Sequence, residues 1–400
     1  MPAQDIAIIG AGIGGLTVAL AALQRGHRVR VYEQAPQITL IGGGISIAPN
    51  SMQVLMRLGL RPALTRVACW PQHGVIRDGA SGDPISTTDF SGFEARFGAP
   101  YMQVHRADLH VVLLDACRKL EPDLLVCDKR ATDLHDGESR IALRFADGTE
   151  SASDVVLGAD GAKSRVRTIL FGERPAQFTG VVAWRGTVEM SALPPESRLT
   201  NSNVWTLPNR QIVQHPVCSG RVMHVSGLAS EQPWGEESWT ARATPDEALG
   251  VFEGFSPTVR AILERIPPDA CFKYALHDRA PLPTWHRGRV VLLGDAAHPM
   301  LPFLAQGASM AIEDGWVLAA ALSSGMTRVE DALASYVAIR RERATFVQLG
   351  ARRAREQLQG YSPQMQRDAS PSESILKPES LFGWNPDEAT AALELFDVPR

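Results

Sequence analysis

An α/β fold, with an inserted and mainly antiparallel β-sheet domain and a C-terminal helical region, is what this sequence of 400 residues predicts. Three observations lead there. An apolar run, a glycine cluster and an Ala/Leu-rich stretch open the chain in the order strand, turn, helix. From about Pro175 to Phe272 that pattern gives way to short β-type runs with no long helix between them. An α/β pattern then returns at Arg289 and leads into a long, charged helical stretch.

Element by element, the strand Asp5–Ile9 runs into Gly10-Ala11-Gly12-Ile13-Gly14-Gly15, and Leu16–Gln24 carries a helix that Gly26 stops. His27–Glu33 alternates polar and apolar residues, so a second strand closes a βαβ unit. Asn50–Leu60 reads as an amphipathic helix capped by Asn50, and Arg106–Leu120 as another. Leu124–Val126, Ser139–Phe145 and Asp154–Leu157 are short strands, with Asp147-Gly148 marking a hairpin turn. In the inserted sheet, Val181–Thr187, Val204–Leu207, Gln211–His215 and Val222–Leu228 are the expected strands. Arg289–Leu293 is a buried strand, Gly307–Leu322 a helix and Ala332–Leu358 a long helix; Tyr361–Ser380 reads as a loop, and Leu381–Arg400 receives no assignment. These limits divide the chain into a discontinuous nucleotide-binding domain (1–174 and 273–350), a substrate domain (175–272) and a C-terminal helical or loop region (351–400).

Composition narrows the function. With 44% hydrophobic and 21% charged residues the chain buries a sizeable core, which excludes a disordered or fibrous protein. Forty Lys and Arg against 44 Asp and Glu leave a net charge of -4 and no basic footprint for nucleic acid. Five cysteines without a C-x-x-C pair argue against a disulfide framework, a metal site or a dithiol redox centre, and place the protein in a reducing cytoplasm. Ile6–Leu23 is uncharged and long enough to span a membrane, but Asp5 before it and the glycine cluster within it oppose that reading. The expected partner is a small molecule, with no nucleic acid and no membrane, and the protein is a monomer or homodimer.

Gly10-x-Gly12-x-x-Gly15 between strand and helix, with Glu33 ending the next strand, is the context that a Rossmann-like dinucleotide fingerprint requires. The first glycine permits the turn, the second admits the pyrophosphate, and the third lets helix pack on strand; the helix N-terminus supplies N–H donors. Glu33 would accept hydrogen bonds from an adenosine ribose. A glycine turn without a ligand is the bland alternative, and NAD and FAD remain equally open at this point.

Three further segments narrow that choice. Asp160-Gly161-Ala162-Lys163-Ser164, Gly294-Asp295-Ala296-Ala297-His298-Pro299 and Arg106 within His105-Arg106-Ala107-Asp108-Leu109 resemble the FAD-dependent aromatic hydroxylases, the group A flavoprotein monooxygenases. Within that family the chain is most similar to the salicylate, 3-hydroxybenzoate and 6-hydroxynicotinate monooxygenases, over nearly its whole length to about residue 350. The resemblance implies FAD as cofactor, NAD(P)H as co-substrate with NADH favoured, and O2. It implies hydroxylation of a small aromatic or heteroaromatic hydroxy acid through a flavin hydroperoxide, with or without decarboxylation. A reductase or oxidase on the same scaffold, or a flavin-containing binding protein without turnover, are the alternatives.

The same resemblance distributes roles over the residues. Asp295 would accept from a ribityl hydroxyl, its alternative being an ordinary helix cap. Gln306-Gly307-Ala308 would turn helix N–H groups toward the flavin pyrimidine edge, and Gly14 belongs to the phosphate turn. Arg106 would reach the pyrophosphate or ribityl chain, or else form a surface salt bridge. Asp160 would contact flavin and nicotinamide, or merely close a strand-end turn. Backbone contacts are implied from Ala131 to the adenine end, and from Gln34 and Ser46 to the ribose and flavin sides. Alternation puts Gln211, Val213 and His215 on one strand face. If that face covers the flavin, His215 is the candidate base or hydrogen-bond partner, with an imidazole whose ordinary pKa near 6.5 suits the task and Gln211 beside it; several relatives carry His at the position of Gln211 and Tyr at that of His215, a departure that blocks a direct carry-over of their roles. A satisfied core histidine is the alternative. His298 reads as structural, Trp184 and Arg185 as ordinary sheet positions, with the holding of a carboxylate or ring at the domain interface as their alternative, and Met300, Leu301, Pro302 and Phe303 as an apolar wall near the flavin.

Overall fold

The apolar strand Asp5–Ile9 lies inside a six-stranded sheet, in the order His286–Arg287, Val290–Leu292, Val155–Gly158, Asp5–Ile9, Arg28–Tyr32, Leu125–Val126. All its pairs are parallel except the one at the His286–Arg287 edge, so the strands point their carboxyl ends the same way. The computed structural model describes residues 2–38, 42–230, 234, 241–359 and 377–394. Helix Ile13–Gln24 is buried on most sides against this sheet and against helix Gly307–Ser323. The two helices approach closely because Gly315 has no side chain; a Cβ there would lie 2.9 Å from the Val18 backbone nitrogen. Among the described residues no helix is long and apolar enough to cross a membrane, and the uncharged start of the chain is strand, turn and helix.

The second sheet has eight strands and is wider than the expected insertion at 175–272. Its order is Ala241–Arg242, Phe272–Asp278, Gln177–Glu189, Val222–Ala229, Arg210–Val217, Ser202–Leu207, His73–Asp78, Pro84–Asp89. The hairpin His73–Asp89 joins from the first segment because Ser202–Leu207 would otherwise leave its ladder open, and it pairs there in parallel. Parallel neighbours must come from distant sequence, which is why local patterning did not reveal this one. One face of the sheet packs Trp184, Trp205, Ile212 and Val225 against the helices Pro245–Val251 and Pro257–Leu263. The other face turns toward the carboxyl ends of the first sheet.

Two local expectations change. The second helix runs from Pro49 to Arg57, so Asn50 is not its cap: Pro49 takes the first helical position, and Asn50 is carried one step into the interior. There its amide donates to Glu313 (2.6 Å) and Gln306 (3.1 Å). The unassigned C-terminal segment forms helices Pro378–Phe382 and Pro386–Glu394, docked by Arg343 on the Ser380 and Leu381 carbonyls, Gln53 on the Trp384 carbonyl and an Arg57–Asp387 ion pair. Of the expected loop Tyr361–Ser380, residues 361–376 lie outside the described residues, and Pro378 to Ser380 are helical.

Candidate functional site

Between the carboxyl ends of the six-stranded sheet and the open face of the eight-stranded sheet lies a cavity of about 450 Å3. Its floor begins at the glycine turn. A Cβ on Gly15 would lie 2.1 Å from the Gly10 carbonyl oxygen, and one on Gly10, at φ +104°, 2.5 Å from the Ala159 oxygen, so both must be glycine. A Cβ on Gly14 would press at 3.2 Å on Ala311 and Leu293, whereas one on Gly12 would meet no atom within 4 Å. Gly12 therefore faces open space, and helix Ile13–Gln24 starts beside it with no side chain capping its free N–H groups. Helix Gly307–Ser323 also starts at the cavity without a side-chain cap, with Gly307 and Ala308 in the wall. Two helix N-termini thus offer donors and partial positive charge to one space.

The other expected cofactor residues separate into those that line this space and those that shape it. Ser46, Arg106 and Asp295 line it. Asp295 is accessible from the cavity yet surrounded by protein; that burial raises its carboxyl above the ordinary value, against the pull of His298, Arg106 and Arg167. Glu33, Gln34 and Ala131 lie beyond the cavity walls, near the end of strand Arg28–Tyr32. There Glu33 accepts from the backbone N–H groups of Ala11 and Ala35, both at 3.0 Å, and so holds the glycine turn in shape. Asp160 does not line the cavity. Its carboxylate accepts from Ser164 Oγ (2.5 Å) and from the N–H groups of Arg165 (2.7 Å) and Val166 (3.0 Å), capping helix Arg165–Phe171, while Ala159, Gly161 and Ala162 form the wall. Gln306 is buried outside the wall and accepts from Asn50.

Beneath the floor is a buried ionic cluster that sequence reasoning missed. Arg340, 0% exposed, bridges Glu313 (2.5 Å) and Asp314 (2.8 Å). Asp314 also meets His298 Nε2 at 2.5 Å and accepts from the Gly294 N–H at 2.9 Å, so it anchors the turn that presents Asp295. Burial alone would raise the Asp314 carboxyl; the His298 and Arg340 charges outweigh it and hold it at about 2. His298 is structural, as expected. Arg167 is a second omission. It donates to the carbonyls of Ala162 (2.5 Å) and Ala296 (3.0 Å) and ties the two wall segments together.

The ceiling is the open face of the eight-stranded sheet. Val213 and His215 line the cavity as alternation predicts; Gln211 shares their face, opposite Leu228, but is not in the wall. Arg185 lines the cavity, its guanidinium 5.6 Å from the Tyr274 ring centre, while Trp184 points into the opposite core against Phe252. Of the two readings of Arg185 the ordinary sheet position gives way: the sheet has one face on helices and one on the cavity, and Arg185 is on the second. Met300, Leu301 and Pro302 supply the apolar side wall; Phe303 packs behind them. His224 is a further omission, directly opposite His215 in the ladder and also in the wall. The period-two series His224, Ser226, Leu228 was its signal.

Both histidines are uncharged, because burial pushes His215 down to about 4 and His224 well below the usual range. Stability therefore depends on pH. An unfolded histidine binds its proton near 6.5 and folded His215 only near 4, so the contribution is complete above pH 6.5 and is lost as pH falls between those values. At pH 4 the loss for His215 alone is about 3 kcal/mol. Melting temperatures at pH 7.5 and 5.0 should show a drop that is smaller in His215→Gln; an equal drop would place the acid sensitivity elsewhere.

Comparison with known proteins gives the family. The profile of the family described as FAD binding domain matches residues 3–349. The 3-amino-4-hydroxybenzoate 2-monooxygenase PtnB3 of Streptomyces platensis is 38% identical over 352 residues, 88% of this chain and 87% of that protein. The 6-hydroxynicotinate 3-monooxygenase of Pseudomonas fluorescens is 36% identical over 352 residues, 86% of this chain and 89% of that protein. Klebsiella pneumoniae HpxO, solved with FAD and uric acid, superposes with a TM-score of 0.84 at 25% identity, covering 98% of each chain.

Proposed function

Because the chain belongs to the FAD binding domain family and is an FAD-dependent aromatic monooxygenase, we propose that its substrate is a small aromatic or heteroaromatic acid with a ring hydroxyl or amino group, oxidised with NAD(P)H and O2. Arg185 is the observation that carries the substrate reading. A guanidinium on a water-excluding ceiling, beside the face of Tyr274, is suited to a flat ring ending in a carboxylate: the fork grips two oxygens and the aromatic faces pack. The names of the two monooxygenase relatives, which give 3-amino-4-hydroxybenzoate and 6-hydroxynicotinate as substrates, support it.

The residues present fit FAD: two uncapped helix N-termini, a Gly12 with open space above it and a carboxylate on the turn after a parallel strand all face one cavity. When bound, FAD supplies the redox and oxygen chemistry. Gly12 to Gly14 would bind its phosphates, and Asp295 and Arg106 its polyol chain. The eight-stranded sheet excludes water, Arg185 orients the substrate, and His215 presents an uncharged imidazole to the ring hydroxyl. Without a second glycine fingerprint in the sequence, the nicotinamide coenzyme, with NADH favoured, would dock from solvent. All five cysteines are free, which supports a reducing cytoplasm.

The test is NADH oxidation by the purified holoprotein with hydroxybenzoates, aminohydroxybenzoates and hydroxypyridine carboxylates. A substrate should stimulate oxidation with matching O2 uptake. Equal turnover without O2 would overturn the reading in favour of a reductase, and ligand binding that never accelerates flavin reduction would favour a binding protein. Arg185→Gln should raise KM for the acid by about 10- to 100-fold, the worth of a hydrogen bond to a charged group, with flavin content unchanged; an unchanged KM removes Arg185 from substrate binding.

A further inference from the structure

We propose that His110 is a positioning residue of the flavin site: by donating to the Ala11 carbonyl it locks the glycine turn in the orientation that receives the FAD pyrophosphate. The inference rests on the FAD reading and adds to it a residue that lies outside the cavity.

A single buried contact is the starting point. His110 Nε2 lies 2.6 Å from the Ala11 oxygen, and the residue is only 7% exposed. A carbonyl oxygen can only accept, so the proton of the ring sits on Nε2. Burial pushes the imidazole below its ordinary value, so the ring is uncharged, and Nδ1 has no hydrogen-bond partner among the described residues. An unpartnered buried nitrogen costs stability, and a core that needed only packing here would be better served by an apolar side chain. Packing is in any case supplied by others: Leu109, Leu113, Leu114 and Cys117 bury the same helix, Arg106–Leu120, in the core around the first sheet.

What His110 adds is direction. The Ala11 carbonyl and the Gly12 N–H belong to one planar peptide unit and point opposite ways. That N–H meets no acceptor among the described residues, and Gly12 lines the cavity. Glycine at position 12 leaves the unit easy to rotate, because a Cβ there would meet nothing within 4 Å and none is present to restrict φ. A rotated unit would point a carbonyl oxygen where the N–H now points, and would meet the phosphates with partial negative charge in place of a donor. His110 prevents that rotation. Glu33 fixes the preceding unit in the same way, accepting from the Ala11 N–H at 3.0 Å, so the peptide units on both sides of Ala11 are pinned before any ligand arrives. Pre-organisation of this kind spares the ligand the cost of ordering the turn.

The experiment measures FAD binding apart from folding. Apoprotein is prepared from the purified holoprotein, its FAD dissociation constant is read from the quenching of flavin fluorescence, and its melting temperature is recorded without FAD. His110→Leu keeps the apolar bulk and removes the donor. In the empty protein the released unit can turn its carbonyl to water in the cavity, so the melting temperature should stay near that of the wild type while FAD binds about tenfold or more weakly. His110→Gln, whose amide N–H can reach the carbonyl, should recover most of the affinity. With FAD saturating, the Leu variant should keep the wild-type kcat and KM for NADH, because bound phosphates re-impose the turn. A Leu variant with wild-type FAD affinity, one whose apoprotein is insoluble or melts much lower, or a Gln variant no better than Leu overturns the positioning role and leaves His110 to the packing. A wild-type apoprotein that takes up no FAD overturns the FAD reading itself.

Discussion

Arg340→Met lowers the unfolding free energy by about 3–5 kcal/mol, the cost of stranding buried charges when their partner is removed. Two carboxylates, Glu313 and Asp314, are each 0% exposed and meet across this one guanidinium; Glu313 has Arg343 and Asn50 as further partners, and Asp314 has His298. The thioether fills much of the same volume, so the loss is electrostatic rather than a cavity. The sign of its pH dependence follows. Without Arg340 the two carboxyls bind protons more readily, so the deficit relative to wild type shrinks as pH falls. Urea unfolding at pH 7.5 and 5.0 measures both effects; a loss under about 1 kcal/mol at neutral pH would show that the remaining partners suffice. Because Asp314 also holds the Gly294 N–H, flavin should be lost along with stability.

The second large effect separates two glycines of one motif. Gly15→Ala drives a methyl against the Gly10 carbonyl at 2.1 Å, backbone against backbone, so helix and strand must move apart. Both melting temperature and flavin retention should fall, with less than about a tenth of the wild-type FAD surviving gel filtration. Gly12→Ala meets no protein atom within 4 Å, so the apoprotein should melt as the wild type does while FAD still binds at least about tenfold more weakly, a difference of about 1.4 kcal/mol. An apoprotein destabilised equally by both changes would mean that Gly12 serves the fold and not the ligand.

These two predictions also mark what was legible in the sequence. The glycine turn was readable because each glycine answers to a local constraint: a positive φ, a close strand, an open side. His215 was readable because alternation along a single strand decides its face. Alternation puts His224, Ser226 and Leu228 on one face and leaves Arg185 two roles, but which face meets the cavity depends on which strands pair and in what register, and the loops between them carry no such information. The Arg340 cluster was hidden for a related reason. Its members come from four segments, and a charged residue within a helix looks the same whether it meets solvent or another charge. Asp160 shows the converse: the motif around it was recognised, but its carboxylate is occupied by the next helix, and only its neighbours reach the cavity.

The hairpin His73–Asp89 has a bearing on how the protein is made. Its inner neighbour in the sheet, Ser202–Leu207, leaves the ribosome long after it, a delay on the order of ten seconds at about 5–20 residues per second. The central strand Val155–Gly158 likewise waits for Val290–Leu292. Neither sheet can close until most of the chain has been synthesised, and meanwhile both present open strand edges. Production yield should therefore respond to slower translation or added chaperones more than to any change in the finished molecule's stability.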